Sequence, residues 1–186
     1  KQIGVLFDVL VLREHAGREG DVDETPRPGE DPQQYVERIC RAKAEAGWMR
    51  VLQRQLPRLP VLAADTTVCL DGQIFGKPAD RADAIRMLKQ LSGREHRVLT
   101  AVALAYDSTM DFVLNENVVR FRPLEEDEII HYVDTGEPYD KAGAYAIQGR
   151  AAAFIPEILG SYTGVMGLPL YETAALLRRF QSQYRS

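Results

Sequence analysis

Asp65 follows the apolar run Val61-Leu62-Ala63-Ala64, so its carboxylate is expected at the end of a buried strand, beside Thr66 and Thr67, where sheet proteins present reacting groups. An Asp in that place equally caps a turn, and spacing alone leaves both roles open. A second acidic cluster, Asp21, Asp23 and Glu24, lies in a polar segment ahead of the first helix; a solvated turn has the same appearance. Lys77 stands between Gly76 and Pro78 just before a helix start, where a stiff backbone can aim its ammonium at an anion held near helix amides. Taken alone it also fits a surface lysine. The segment from Lys141 to Tyr145, continuing into Ile147-Gln148-Gly149, has glycines that let a backbone approach a ligand closely, although a plain flexible loop shares that composition.

These groups together are what triphosphate hydrolysis needs: carboxylates to hold a divalent cation and activate water, and cations to neutralise charge on the phosphates. Other chemistries lack their parts. His15, His96 and His131 have no Ser or Cys partner in a nucleophile motif, which argues against a covalent triad. The GxxxxGK[ST] pattern of a P-loop is absent.

The elements that must position these residues follow from local signals. Asp31 followed by Pro32 is a helix start, with Gln34 completing a box-like signal, and the helix is expected to run to about Trp48. Tyr35, Ile39, Ala42 and Ala46 form its apolar face, widened by Val36 and Cys40, with Lys43 at the margin. After Val61–Ala64, a tight hairpin is expected around Asp71-Gly72, flanked by Thr67–Leu70 and Ile74–Phe75. Asp80 caps a helix over Arg81–Leu91, and Gly93 ends it. The nearly uniform apolar run to Tyr106 suits a strand buried on both faces, and Phe112–Phe121 a second long strand. The acidic run Glu125–Glu128 opens a helix that Gly136 closes, and Pro169 begins a last helix to about Tyr184. Gln2 to Phe7 reads as a helix end followed by a strand. Strands alternating with helices, with one hairpin built in, predict an α/β fold around a mixed sheet.

Composition narrows the partners. The chain has 186 residues, 45% of them hydrophobic, enough for one domain with a sizeable core. The 23 basic and 27 acidic residues give a net charge of −4 with no polybasic arm, which argues against nucleic acid. Cys40 and Cys69 are the two cysteines, without a CxxC pair, which fits a reducing compartment and argues against structural zinc. No apolar run approaches the roughly 20 residues that span a bilayer, so no membrane partner is expected.

In order and spacing, the series Val22-Asp23-Glu24, Tyr35-Val36 through Arg41-Ala42-Lys43-Ala44, Ala64-Asp65-Thr66, Gly76-Lys77-Pro78, Leu91-Ser92-Gly93-Arg94, Asp140 to Tyr145, Ile147-Gln148-Gly149 and Gly167-Leu168-Pro169-Leu170 resembles the Maf family over nearly the whole chain. The resemblance implies a single elongated, two-lobed α/β domain shared with the inosine triphosphate pyrophosphatases. It implies a cytoplasmic house-cleaning enzyme that uses a divalent cation (Mg²⁺, Mn²⁺ or Co²⁺) to release a nucleoside monophosphate and pyrophosphate, and the family habit is a homodimer. Carried over by position, the general base falls on Asp65, an acidic site residue on Glu24, and phosphate-contacting lysines on Lys43 and Lys77. Glu24 and Asp65 would hold the metal, and Thr66, Gln148 and Lys141 the substrate. At Thr66 and Gln148 the chain resembles the subgroup that acts on dTTP and UTP. A 7-methyl-GTP or purine triphosphate pyrophosphatase, or a nucleotide-binding regulator of cell division with little turnover, are the competing expectations. The chain departs from the family in beginning after its N-terminal strand and phosphate loop, and in a longer link from Val11 to Asp21.

Overall fold

The computed structural model describes residues 3–11 and 22–184; Asp21, His15 and nearly all of the link from Val11 to Asp21 lie outside them. Helix α1 (Pro32–Gln53) begins where Asp31 accepts the amides of Gln33 and Gln34, as its residue types require. It runs past Trp48 to Gln53 because Trp48 and Val51 continue the buried face. The sheet follows: β1 (Val61–Leu70), β2 (Gln73–Phe75), β3 (Glu95–Tyr106), β4 (Thr109–Arg120) and β5 (Glu157–Leu159), with α2 (Arg81–Leu91) between β2 and β3 and α3 (Glu126–Asp134) after β4. Short helix α4 (Tyr162–Val165) and the C-terminal α5 (Leu170–Tyr184) complete the chain.

Strand order is β2-β1-β3-β4-β5. The α/β class holds, but the sheet expected to be mixed is antiparallel at every described pairing. The reason is local. Asp71 and Gly72 both take positive φ and close the β1-β2 hairpin, a second tight turn joins β3 to β4, and α2 returns the chain to the far edge of β1.

Two further expectations are corrected. Asp65 is not at a strand end: β1 continues through Thr66 and Thr67 to Leu70, and Asp65 pairs with Ala101 in its middle, because these β-branched residues fit a pleated strand. The N-terminal strand is also not found. Residues 5–11 form no helix or strand, Leu6 is 98% exposed, and only through residues such as Leu10 does this stretch touch the core.

Alternation along β3 divides the interior. Leu99, Ala101, Ala103 and Ala105 face α1, small side chains that let a helix approach closely. On the other face Val98 joins the core beneath α2 and α3, whereas Val102 and Leu104 join Leu176 of α5. Between those two cores stands Thr100, fully buried and polar. The break between these two cores therefore falls at the register where Thr66 pairs with Thr100. Among the described residues no helix is long and apolar enough to cross a membrane.

Candidate active site

Strand β2 pairs with β1 only from Val68 to Leu70, so the Val61–Thr67 stretch of β1 is left as a sheet edge among the described residues. A cavity of about 280 Å³ opens along it. The seven residues given a catalytic, metal or substrate role from the sequence line this one cavity: Glu24, Lys43, Asp65, Thr66, Lys77, Lys141 and Gln148.

They arrive from several separate elements, with Asp65 and Thr66 adjacent on β1. The extended segment before α1 brings Glu24, whose carbonyl accepts the Tyr35 hydroxyl at 2.9 Å. Arg38 fixes the rest of that segment, donating to both carboxylate oxygens of Glu30 at 2.6 and 2.8 Å and to the Thr25 carbonyl at 3.1 Å. The Arg38 guanidinium holds the Glu30 carboxyl down at about 2. Asp23 has a different task, because its Oδ1 accepts the Thr25 amide at 2.9 Å, which makes it a turn cap. Asp21 lies outside the described residues.

From α1, Lys43 places its Nζ 2.7 Å from Asp65 Oδ1 and 2.7 Å from Glu24 Oε1. Burial pushes the Asp65 carboxyl above its ordinary value, against the pull of Lys43. For Lys43 burial favours the neutral amine, but Asp65 and Glu24 outweigh it and hold the ammonium above its ordinary value. Burial, with the same two carboxylates, raises the Tyr35 hydroxyl to about 12. Lys77 is near enough for its charge to favour the ionised forms of both Asp65 and Asp140. Its segment is tied to the Gly-rich loop by the Gly143 amide on the Gly76 carbonyl at 3.1 Å. Gly143 has φ +70, and a Cβ there would stand 2.9 Å from Val68, so only glycine lets this loop close on β1. Lys141 pairs with the adjacent Asp140 at 2.7 Å.

Thr66 lies on the opposite face of β1, with its Oγ1 2.9 Å from that of Thr100. Thr100 donates to the Gly164 carbonyl at 2.8 Å, so the proton between the two threonines comes from Thr66. The Thr66 hydroxyl therefore faces the cavity with acceptor capacity only. Its neighbour Thr67 has a buried Oγ1 without a hydrogen-bond partner among the described residues. Gln148 is exposed on the cavity's rim.

Sequence reasoning missed Tyr35, Asp140, Met166 and Gly167, which also line the cavity. Tyr35 was hidden by its place in an apolar helical stripe, where periodicity reads a core residue. Met166 carries no chemical signal, and Gly167 entered only as part of a family motif with no site role attached.

Two carboxylates meeting at one ammonium form a set of hard oxygen donors that fits Mg²⁺ or Mn²⁺, ions that take one or two carboxylates and complete their shell with water and substrate phosphates. A complete protein cage is not offered, since no group of three or more His, Cys, Asp or Glu able to hold a metal occurs among the described residues.

A five-stranded sheet with an acid-and-lysine cavity at its open edge defines a small-molecule site suited to polyphosphates. The chain belongs to the Maf-like protein family, which matches residues 3–180. It is 61% identical over 181 residues, 97% of this chain and 88% of the relative, to a protein of Aromatoleum aromaticum named dTTP/UTP pyrophosphatase. Proteins of the same name from Nitrosomonas europaea, 58% identical over 95% of this chain and 86% of the relative, and Dechloromonas aromatica, 53% identical over 96% and 89%, are similarly related.

Proposed function

We propose that this chain is a nucleoside triphosphate pyrophosphatase that hydrolyses dTTP and UTP to the monophosphate and pyrophosphate, acting as a single cytoplasmic Maf-like domain. The observation that carries the reading is Lys43 joining Glu24 and Asp65 at 2.7 Å each inside a cavity that Gln148 also reaches. The name borne by relatives at 53 to 61% identity supports the substrate.

In this reading Asp65 takes the proton of the attacking water as the bond between the α and β phosphates breaks, and the leaving pyrophosphate carries away the electron pair. Burial raises the basicity of Asp65, which favours proton acceptance near neutral pH. Lys43 and Lys77 act as point charges on the phosphate oxygens. A divalent cation held by Glu24 and Asp65 would lower the pKa of a bound water and shield the phosphates. On the rim, Gln148 offers a donor beside an acceptor, which matches the carbonyl and N3 hydrogen of uracil or thymine, and Thr66 offers an acceptor.

The test is pyrophosphate release from dTTP, UTP, GTP and 7-methyl-GTP with Mg²⁺ or Mn²⁺ present. Higher kcat/KM for dTTP and UTP is expected. Triphosphate binding without pyrophosphate release would replace the enzyme by a nucleotide-binding regulator, and a preference for GTP or its 7-methyl form would replace the substrate.

A further inference from the structure

The segment that carries Gln148 lies in short 3₁₀ turns and loop, between Ala142–Ala144 and Arg150–Phe154, and the Gln148 side chain is exposed. An amide that reads a base by two hydrogen bonds must be held to within about half an ångström, so its backbone needs a brace from elsewhere. The brace lies behind the loop. Tyr132 of α3 is 3% exposed, and its hydroxyl accepts the Ala146 amide at 3.1 Å and donates to Glu137 Oε1 at 2.8 Å. The other carboxylate oxygen, Oε2, accepts the Arg150 amide at 3.1 Å. Ala146 and Arg150 flank Gln148 two residues to either side, so one phenol and one carboxylate clamp both ends of the segment that presents it.

The clamp is built for its parts. Glu137 receives an O–H on one oxygen and an N–H on the other, which a carboxylate satisfies and a carboxamide, with a single acceptor oxygen, does not. Gly149 leaves the room: a Cβ there would stand 2.2 Å from Glu137 Oε1. The Tyr132 ring is fixed in turn against Phe154, with centroids 5.2 Å apart and planes at 80°. Neither Tyr132 nor Glu137 lines the cavity, so neither touches substrate.

We infer that Tyr132 and Glu137 are positioning residues for base discrimination, acting through Gln148; this rests on the reading above that Gln148 meets the pyrimidine. Phosphate binding and proton transfer belong to Lys43, Lys77 and Asp65 on other elements, so loosening the clamp costs base selectivity and leaves triphosphate cleavage in place.

The experiment compares Glu137→Gln and Tyr132→Phe with the parent enzyme on UTP, GTP and ribose 5′-triphosphate, which lacks a base, and adds the double variant Gln148→Ala with Glu137→Gln. Loss of one well-made hydrogen bond to the loop is expected to reduce the UTP-over-GTP ratio of kcat/KM about tenfold, mainly through KM for UTP. The kcat on ribose 5′-triphosphate should stay within about twofold of the parent. In the Gln148→Ala background Glu137→Gln should cost no further selectivity, the sign that both act through one group. Should Tyr132→Phe fail to fold, Glu137→Gln decides. An equal fall in kcat on all three substrates, an unchanged ratio, or additive losses in the double variant would overturn the inference while leaving the base reading intact. A parent enzyme with no preference for UTP over GTP would overturn the base reading first and the inference with it.

Discussion

Lys43 Nζ lies 2.7 Å from Asp65 Oδ1 and equally 2.7 Å from Glu24 Oε1, so one ammonium bridges two carboxylates. Two carboxylates share one positive charge at the edge of a sheet. Their proximity is costly without a cation between them, because like charges at this range in a partly buried site repel strongly.

Lys43→Met is therefore expected to destabilise the fold by about 2 kcal/mol at neutral pH, less than the loss of a fully buried partner because Glu24 is partly solvated. A divalent cation supplies the missing charge. Thermal denaturation with and without Mn²⁺ should raise the Tm of Lys43→Met more than that of the parent protein. Equal responses of the two proteins would separate the carboxylate pair from metal binding.

Asp65→Asn keeps a hydrogen-bond acceptor for Lys43 and the shape of the side chain, so folding should survive. Turnover should fall by a factor on the order of 10² to 10⁴, the usual contribution of a positioned base. Circular dichroism and pyrophosphate release, measured on one preparation, check the two halves. Near-normal turnover would remove Asp65 from the proton transfer.

His96 packs edge-on against Phe121 and Tyr145, with ring centroids 5.0 and 5.4 Å away, and is 2% exposed. Burial pushes its imidazole down to about 4. Above about pH 6.5, the ordinary value, both folded and unfolded chains hold it neutral and its contribution is complete. As pH falls from there toward 4 the unfolded chain gains a proton that the folded one refuses, so stability declines. The loss attributable to His96 is about 2 kcal/mol between pH 7 and 5. His96→Gln retains a polar group for the Tyr145 hydroxyl, 2.8 Å from Nε2, without titrating. Urea denaturation at the two pH values should show a smaller drop in the variant by that amount, and identical drops would contradict the burial argument.

Signals confined to a few neighbouring residues were legible in the sequence: the Asp31 and Asp80 caps, the Asp71-Gly72 turn, and the nearly uniform apolar run that buries β3 on both faces. What depends on distant pairing was not. Asp65 sits in mid-strand and still reaches a cavity because β2 is only three residues long, a length set by where the chain leaves the sheet at Gly76. Spacing brought Asp65, Glu24, Lys77 and the Gly-rich loop forward as candidates, but no local pattern could place them together; the family resemblance did that. Neither Glu137 nor Tyr132 stood out in the sequence, and only the packing of α3 behind the loop makes them a pair.

The final prediction concerns the base itself. Gln148 sits on the cavity rim, on a loop fixed at Ala146 and Arg150, and its amide presents one donor and one acceptor. A uracil or thymine edge presents the complement, a carbonyl beside an N3 hydrogen. Replacing the amide by a carboxylate removes the donor and sets an acceptor against the carbonyl, leaving two acceptors face to face. The cost falls on pyrimidines, because discrimination by a hydrogen-bonding site comes from the polar groups it strands. A 7-methylguanine ring is cationic and gains from the same carboxylate. Gln148→Glu is thus expected to lower kcat/KM for UTP and dTTP by roughly tenfold or more while that for 7-methyl-GTP holds or rises. The phosphate end is untouched by this change, so kcat on a base-free triphosphate should not follow the loss. Steady-state kinetics on the three nucleotides decide it: an unchanged ratio of UTP to 7-methyl-GTP in the variant would mean that the loop does not read the base and that Gln148 only braces its own backbone.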